Sequence, residues 1–185
     1  VVKDCGLHGN LAPEALFDSE IGKLARVFNF MLKGKTSEAK ENVELLKKIK
    51  TPKEILEQTT KEGKAVHKRY KELLKPYQEL YSRAEKYIKK DKVAVFTYES
   101  DEAGFNQDLS NELIHRHPDK IVIIARKVRD EYRCSIRGGK EPVRDALQKA
   151  LTYVEGTGGG HELACGANIK VRDFDEFLER FKEQF

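Results

Sequence analysis

The sequence predicts an α/β protein in two parts, a helical connector over residues 1–90 and a small mixed-sheet α/β domain over residues 91–185. Three observations carry this. Up to about Lys90 the apolar residues recur at three- and four-residue steps, the spacing of one helix face. Beyond it come two short continuous apolar runs, "VAVFTY" and "KIVIIARKV", as in strands buried on both faces. A third stretch, "YRCSIRG", alternates strictly between apolar and polar, the period of a half-buried strand.

In chain order, the helical pattern opens at Leu11, and Ile21, Leu24, Ala25, Phe28, Met31 and Leu32 mark a helix that Gly34 stops. Thr36 opens another, carrying Ala39, Val43, Leu46 and Ile49. Thr51-Pro52-Lys53-Glu54 is a helix start, with Thr as cap, Pro at the first helical position and Glu reaching back. A long helix follows on Val66, Tyr70, Leu73, Tyr77, Leu80, Ala84 and Tyr87, and Pro76 predicts a kink or break near Leu73. Its stripe is read as a connector packing against a neighbour, with a partner-binding arm as the other reading.

In the second part, Val93–Tyr98, a helix on Phe105, Leu109 and Leu113 ending before Pro118, and Lys120–Val128 make a parallel strand–helix–strand unit. After a turn at Arg129-Asp130, Tyr132, Cys134 and Ile136 face one way and Arg133, Ser135 and Arg137 the other. A helix on Val143, Ala146, Leu147, Ala150, Leu151 and Val154 leads into a glycine loop, "GTGGGHELACG". Cys165, Ala167, Ile169 and Val171 then mark a strand, and Asp173 caps a last helix with Phe174, Phe177, Leu178, Phe181 and Phe185 inward.

Charged residues make up 36% of the chain, yet the net charge is only +4, a solvated globular surface and no polycation. The absence of Trp beside abundant Lys and Glu points to a thermophile. Cys5, Cys134 and Cys165 have neither zinc-site nor disulfide-framework spacing, so a reducing, cytoplasmic setting is expected. No apolar run reaches membrane-spanning length and no signal-peptide pattern is present, so no membrane partner is expected. The first residue is Val, and the chain is expected to be the back part of a longer protein.

Four glycines within Gly156–Gly160 exceed what a helix cap and a tight turn require. Unshielded backbone N–H groups converge on anions, phosphate above all. His161 adds a donor, and Ser135 and Arg137 share a polar strand face from which a guanidinium could grip a phosphate with two parallel N–H groups. A solvated turn is the competing reading.

These residues resemble a known family. "GGGHELACGANI" is similar to the GGGH-x-x-A-x-G signature of the DHHA1 domain, which follows the catalytic DHH domain in a large phosphoesterase superfamily. "SIRG" stands in the place of that domain's basic strand motif, and "AGFNQDLSNELI" resembles its first strand-to-helix segment. With the helices before it, the whole chain resembles the archaeal RecJ-like exonucleases that associate with the GINS replication complex. The resemblance implies that Gly158, Gly159, Gly160 and His161 lie against a substrate phosphate or terminal nucleotide. It implies that Arg137, with Ser135 beside it, binds the backbone phosphate, and that the loop leading to Asn106 flanks the same cleft. It further implies single-stranded nucleic acid as substrate and a role in DNA replication and repair. The GINS complex and an N-terminal DHH domain of the same protein are the other implied partners.

In that superfamily two divalent metals, Mn or Mg, do the chemistry on Asp and His residues of the DHH domain. This chain has no Asp-His-His, and Asp4, His8 and Asp18 do not compose a metal site, so it is expected to bind without hydrolysing. Bacterial relatives carry a histidine just before the glycine that matches Gly104, where this chain has Glu102 and Ala103, so substrate contact from that loop is not carried over. Three alternatives stand: an oligoribonucleotide or cyclic-dinucleotide phosphodiesterase, a non-catalytic fork scaffold binding GINS, and an accessory domain of alanyl-tRNA synthetase type.

Overall fold

The computed structural model describes residues 12–88, 91–99 and 104–185. The chain divides into two compact units, residues up to Glu79 and residues from Leu80 onward. The predicted start at Leu11, the boundary at Lys90, and Asp4, Cys5, His8, Glu102 and Ala103 lie outside the described residues.

The first unit contains α1 (Ala12–Asp18), α2 (Glu20–Met31), α3 (Thr36–Leu46), α4 (Pro52–Leu56) and most of α5 (Lys61–Ile88). Ser19 caps α2, its Oγ accepting from the Gly22 N–H at 3.0 Å. Thr51 and Pro52 start α4 as expected, and Glu54 reaches back to accept from the Thr51 N–H at 2.9 Å and the Lys50 N–H at 2.8 Å. These bonds favour the charged carboxylate and hold its pKa below the ordinary value. Gly63 lets α5 cross α4 closely, since a Cβ there would stand 1.9 Å from the Glu54 carbonyl oxygen.

The core of this unit is Val27, Met31, Ile55 and Val66. Phe30 packs against Tyr70 and Tyr77 at ring separations of 5.6 and 5.3 Å. Thus α2 has two apolar stripes, and the buried one is Val27, Phe30 and Met31, whereas Phe28 is 40% and Leu32 57% exposed. The break near Leu73 does not occur, for α5 is continuous through Pro76. A proline removes one backbone bond, and buried Leu73, Tyr77 and Ala84 anchor the helix on both sides of it.

The second unit is one five-stranded sheet with helices on both faces. Its elements are β1 (Val93–Glu99), α6 (Asn106–Arg116), β2 (Ile121–Val128), β3 (Glu131–Gly138), α7 (Arg144–Leu151), β4 (Gly156–His161), β5 (Ala164–Lys170) and α8 (Phe174–Lys182). The strand order is β1-β2-β3-β5-β4, parallel between β1 and β2 and antiparallel elsewhere, which is the mixed sheet expected. Arg129 takes a φ of +57° to close the tight turn between β2 and β3.

Ile121, Ile123, Cys134, Ile136, Cys165, Ala167 and Ile169 meet Ala146, Leu147, Ala150, Phe174, Phe177 and Phe181 of α7 and α8 in one core. The Phe rings of α8 continue from Tyr132, whose ring stacks on Phe174 at 4.0 Å. Truncating a buried ring such as Phe177 costs about 3–5 kcal/mol, so α8 is fastened mainly by this face. Its expected cap is corrected: the Asp173 side chain makes no cap bond and accepts from the Glu155 N–H at 3.2 Å. On the opposite sheet face α6 covers β2 and β3 with Leu109 and Leu113.

The glycine segment departs most from expectation. In place of a loop, Gly156–His161 is β4, the sheet's edge strand, fully registered on β5. A run of glycines has no side-chain alternation to betray a strand, yet its N–H and C=O groups pair like any other.

Candidate functional site

Antiparallel register places cross-strand partners side by side on one face. Ser135 of β3 opposes Gly166 of β5, which opposes Gly159 of β4. One row along, Arg137 opposes Ala164, which opposes His161; one row the other way stand Arg133, Asn168 and Thr157. Neighbouring strands lie about 4.8 Å apart, so Arg137 and His161 backbones are about 10 Å apart with only a methyl side chain between them.

The glycines differ by face. A Cβ on Gly158 would meet the Ala167 Cβ and the Gly166 carbonyl oxygen, each at 2.9 Å, on the side packed against α7. Gly160 has a φ of +148° and a Cβ there would stand 2.4 Å from the Ala164 carbonyl oxygen. A Cβ on Gly159 would meet nothing within 4 Å, and one on Gly166 only the Cys134 carbonyl oxygen at 3.6 Å. Gly158 and Gly160 are thus required by packing. Gly159 and Gly166 form a side-chain-free shelf on the face shared with Arg137 and His161.

Arg137 is half-buried beside this shelf. Its Nε donates to Asn111 Oδ1 at 2.7 Å, and one terminal nitrogen donates to the Ile136 and Cys165 carbonyl oxygens at 2.9 and 3.2 Å. No carboxylate pairs with it among the described residues. Burial lowers its pKa from the ordinary value, but a guanidinium remains charged. A cation held off water by neutral partners, with donor capacity left, is a standing site for an anion. The His161 ring is exposed, and Arg133 adds exposed charge at the shelf's other end.

Two of the expected residues make hydrogen bonds within the fold. Ser135 is 7% exposed beneath α6, its Oγ 2.9 Å from Ser110 Oγ. The Asn106 amide accepts from the Tyr98 hydroxyl at 2.7 Å and donates to the Arg133 carbonyl oxygen. Tyr98 also accepts from the Phe105 N–H at 2.9 Å, so this trio fixes the start of α6. Burial pushes the Tyr98 pKa up. The structure therefore brings together Arg137, Gly159 and His161, sets Gly158 and Gly160 as their frame, and uses Ser135 and Asn106 as supports.

Sequence reading missed Asn111 and Gly166. Both lie in the segments that carry the resemblance, Asn111 in "AGFNQDLSNELI" and Gly166 as the last glycine of the signature, and Gly166 also alternates with core Cys165 and Ala167 on β5.

Burial pushes the Cys134 thiol up to about 12 and also raises that of Cys165, so neither is a thiolate near neutral pH. Among the described residues no group of three or more His, Cys, Asp or Glu could hold a metal ion. Among them, too, no helix is long and apolar enough to cross a membrane.

The family model of the DHHA1 domain matches residues 90–185. No curated protein matches the chain in sequence. Among solved structures, RecJ from Thermus thermophilus in complex with Mg2+ matches 99% of this chain at 18% identity and a TM-score of 0.63, over 27% of its own length. An exonuclease RecJ bound to manganese matches 99% of the chain at 17% identity and a TM-score of 0.61, over 43% of its length. The pGpG-specific phosphodiesterase PggH from Vibrio cholerae matches 99% at 15% identity and a TM-score of 0.60, over 65% of its length. At these identities the likeness is one of fold, and the chain spans less than half of either RecJ. A matched domain over half of the chain, holding the glycine strand and Arg137 in one site, places the protein: it belongs to the DHHA1 domain family, and its fold is similar to that of RecJ.

Proposed function

We propose that this chain is the substrate-binding, C-terminal portion of a metal-dependent RecJ-like exonuclease that acts on single-stranded DNA in replication or repair. The glycine shelf takes a backbone phosphate, Arg137 neutralises it, and His161 donates from the strand's edge. Two divalent metals, Mn or Mg, and the hydrolytic water belong in this reading to a DHH domain of the same protein, and the GINS complex is its fork partner. The observation that supports it is Arg137, half-buried with no carboxylate partner beside a shelf cleared of side chains.

The test is a fluorescence-anisotropy titration of the 185-residue chain with a labelled 20-nucleotide strand, comparing wild type with Arg137→Ala. Charge-assisted hydrogen bonds contribute about 1.5–3 kcal/mol each, so a loss of at least about tenfold is expected. Equal affinities would refute the phosphate role.

A second reading, a dinucleotide phosphodiesterase, is favoured by the match to PggH, the matched RecJ-like structures being covered to a smaller share. Affinity across strands of two to twenty nucleotides separates the two. The exonuclease reading expects weak dinucleotide binding and a gain with length; a dinucleotide bound as tightly as a long strand favours the other.

A further inference from the structure

Helix α5 carries Lys61, Lys64, Lys68, Lys71 and Lys75 at steps of three, four, three and four, which places all five along one side of the helix. All are exposed, and at about 1.5 Å of rise per residue the row is about 20 Å long. None closes an ion pair among the described residues. Some cations on or beside other helices do pair, as Lys23 with Glu20, Lys47 with Glu44 and Arg180 with Glu176. On α5 itself Glu72, four positions on from Lys68, is held by Arg69 at 3.4 Å. Like charges three and four apart repel, so the row works against its own helix.

A shallow depression runs beside it, lined by Gln58, Lys64, His67, Lys68, Lys71 and Lys75, with Glu72 the one carboxylate. Burial first and Lys71 second lower the His67 pKa, which leaves that ring neutral at pH 7. No large apolar side chain is exposed between Lys61 and Lys75. Protein interfaces are depleted in lysine at their cores and anchored by aromatic, Met and Arg side chains, none of which this face presents. Flexible point charges at regular intervals, without anchors or planar forks, suit a repeating polyanion read by charge alone.

We propose that this lysine row is a second nucleic-acid contact, tracking the sugar–phosphate backbone of a single strand, distinct in residues and in unit from the Arg137 shelf. It rests on the reading of the chain as a nucleic-acid binder. Each lysine–phosphate contact on a single strand contributes about 0.7 to the slope of log K against log salt, so five contribute at most about 3.5.

The experiment measures that slope from 50 to 200 mM salt for the 185-residue chain and a labelled 20-nucleotide strand. The variants are wild type, all five lysines to Gln, all five to Arg, and Arg137→Ala. Gln keeps helix propensity and Arg keeps charge, and circular dichroism checks both. The expected result is a slope reduced by two or more and affinity reduced at least tenfold in the Gln variant. The Arg variant keeps the wild-type slope, and Arg137→Ala changes the slope by less than one. An unchanged slope in the Gln variant, with binding still lost in Arg137→Ala, overturns the row and leaves the shelf standing. A reduced slope in the Gln variant with Arg137→Ala unaffected supports the row and removes the shelf. Absence of salt-sensitive strand binding in wild type overturns both. Tighter binding to phosphatidylserine vesicles or polyglutamate than to the strand, lost in the Gln variant, overturns the nucleic-acid assignment.

Discussion

Gly159 offers a clean separation of packing from function. A Cβ at this position meets no atom within 4 Å, and its φ is not in the left-handed region. Gly159→Ala should therefore fold without strain. Replacing Gly by Ala at a compatible position stabilises by about 0.4–1 kcal/mol, because the unfolded chain loses freedom. The same methyl would occupy the shelf on the face that carries Arg137 and His161. If a phosphate rests there, it is lifted away from the guanidinium and at least one charge-assisted bond of about 1.5–3 kcal/mol is lost. That corresponds to about a ten- to hundredfold weaker complex.

Gly158→Ala and Gly160→Ala are the controls. The first forces a methyl to 2.9 Å from Ala167 and from a backbone oxygen, the second to 2.4 Å from another at a φ of +148°. Each should destabilise the fold by about 1–3 kcal/mol. Urea denaturation and anisotropy titration on the three variants give the full pattern. A Gly159→Ala protein as stable as wild type that binds a strand equally well would refute the shelf.

Two further outcomes concern the scaffold. Glu54 has a lowered pKa in the folded state, so its contribution is present above the ordinary value of 4.5 and is lost as pH falls through the folded value. The stability gap between wild type and Glu54→Gln, read from urea midpoints, should narrow as pH is taken from 7 to below 4; a constant gap contradicts it. Tyr98→Phe removes the hydroxyl that accepts from the Phe105 N–H and donates to Asn106, and should cost about 1–3 kcal/mol through the orphaned donor. An unchanged urea midpoint would show that the α6 start is held otherwise.

Much of the α/β unit was legible because its strands carry side-chain signals. The apolar runs of β1 and β2 reported burial on both faces, and the alternation of β3 sorted Cys134 and Ile136 from Arg133 and Arg137 correctly. The Phe spacing of α8 likewise named its buried face. In the helical unit periodicity found the helices but could not choose between the two stripes of α2, since choosing requires knowing which neighbour arrives. Pro76 gives no break because the burial of Leu73 and Tyr77, which offsets a proline's local penalty, is not visible in sequence.

The site shows the same limit in a sharper form. The signature pointed to the glycines and His161, and the basic strand pointed to Arg137, but their common face is a property of register, and register is settled only when β3, β5 and β4 pair. Side-chain alternation persists even where there are no side chains: on β4 the missing Cβ atoms of Gly158 and Gly160 point where packing or backbone conformation forbids one, and that of Gly159 points into open space. One residue type thus meets two unrelated demands at adjacent positions, which is why the run looked like a loop. The same reasoning applies to Ser135: it lies in the Gly159 row but two strands away, on β3 beneath α6, where its buried hydroxyl meets that of Ser110.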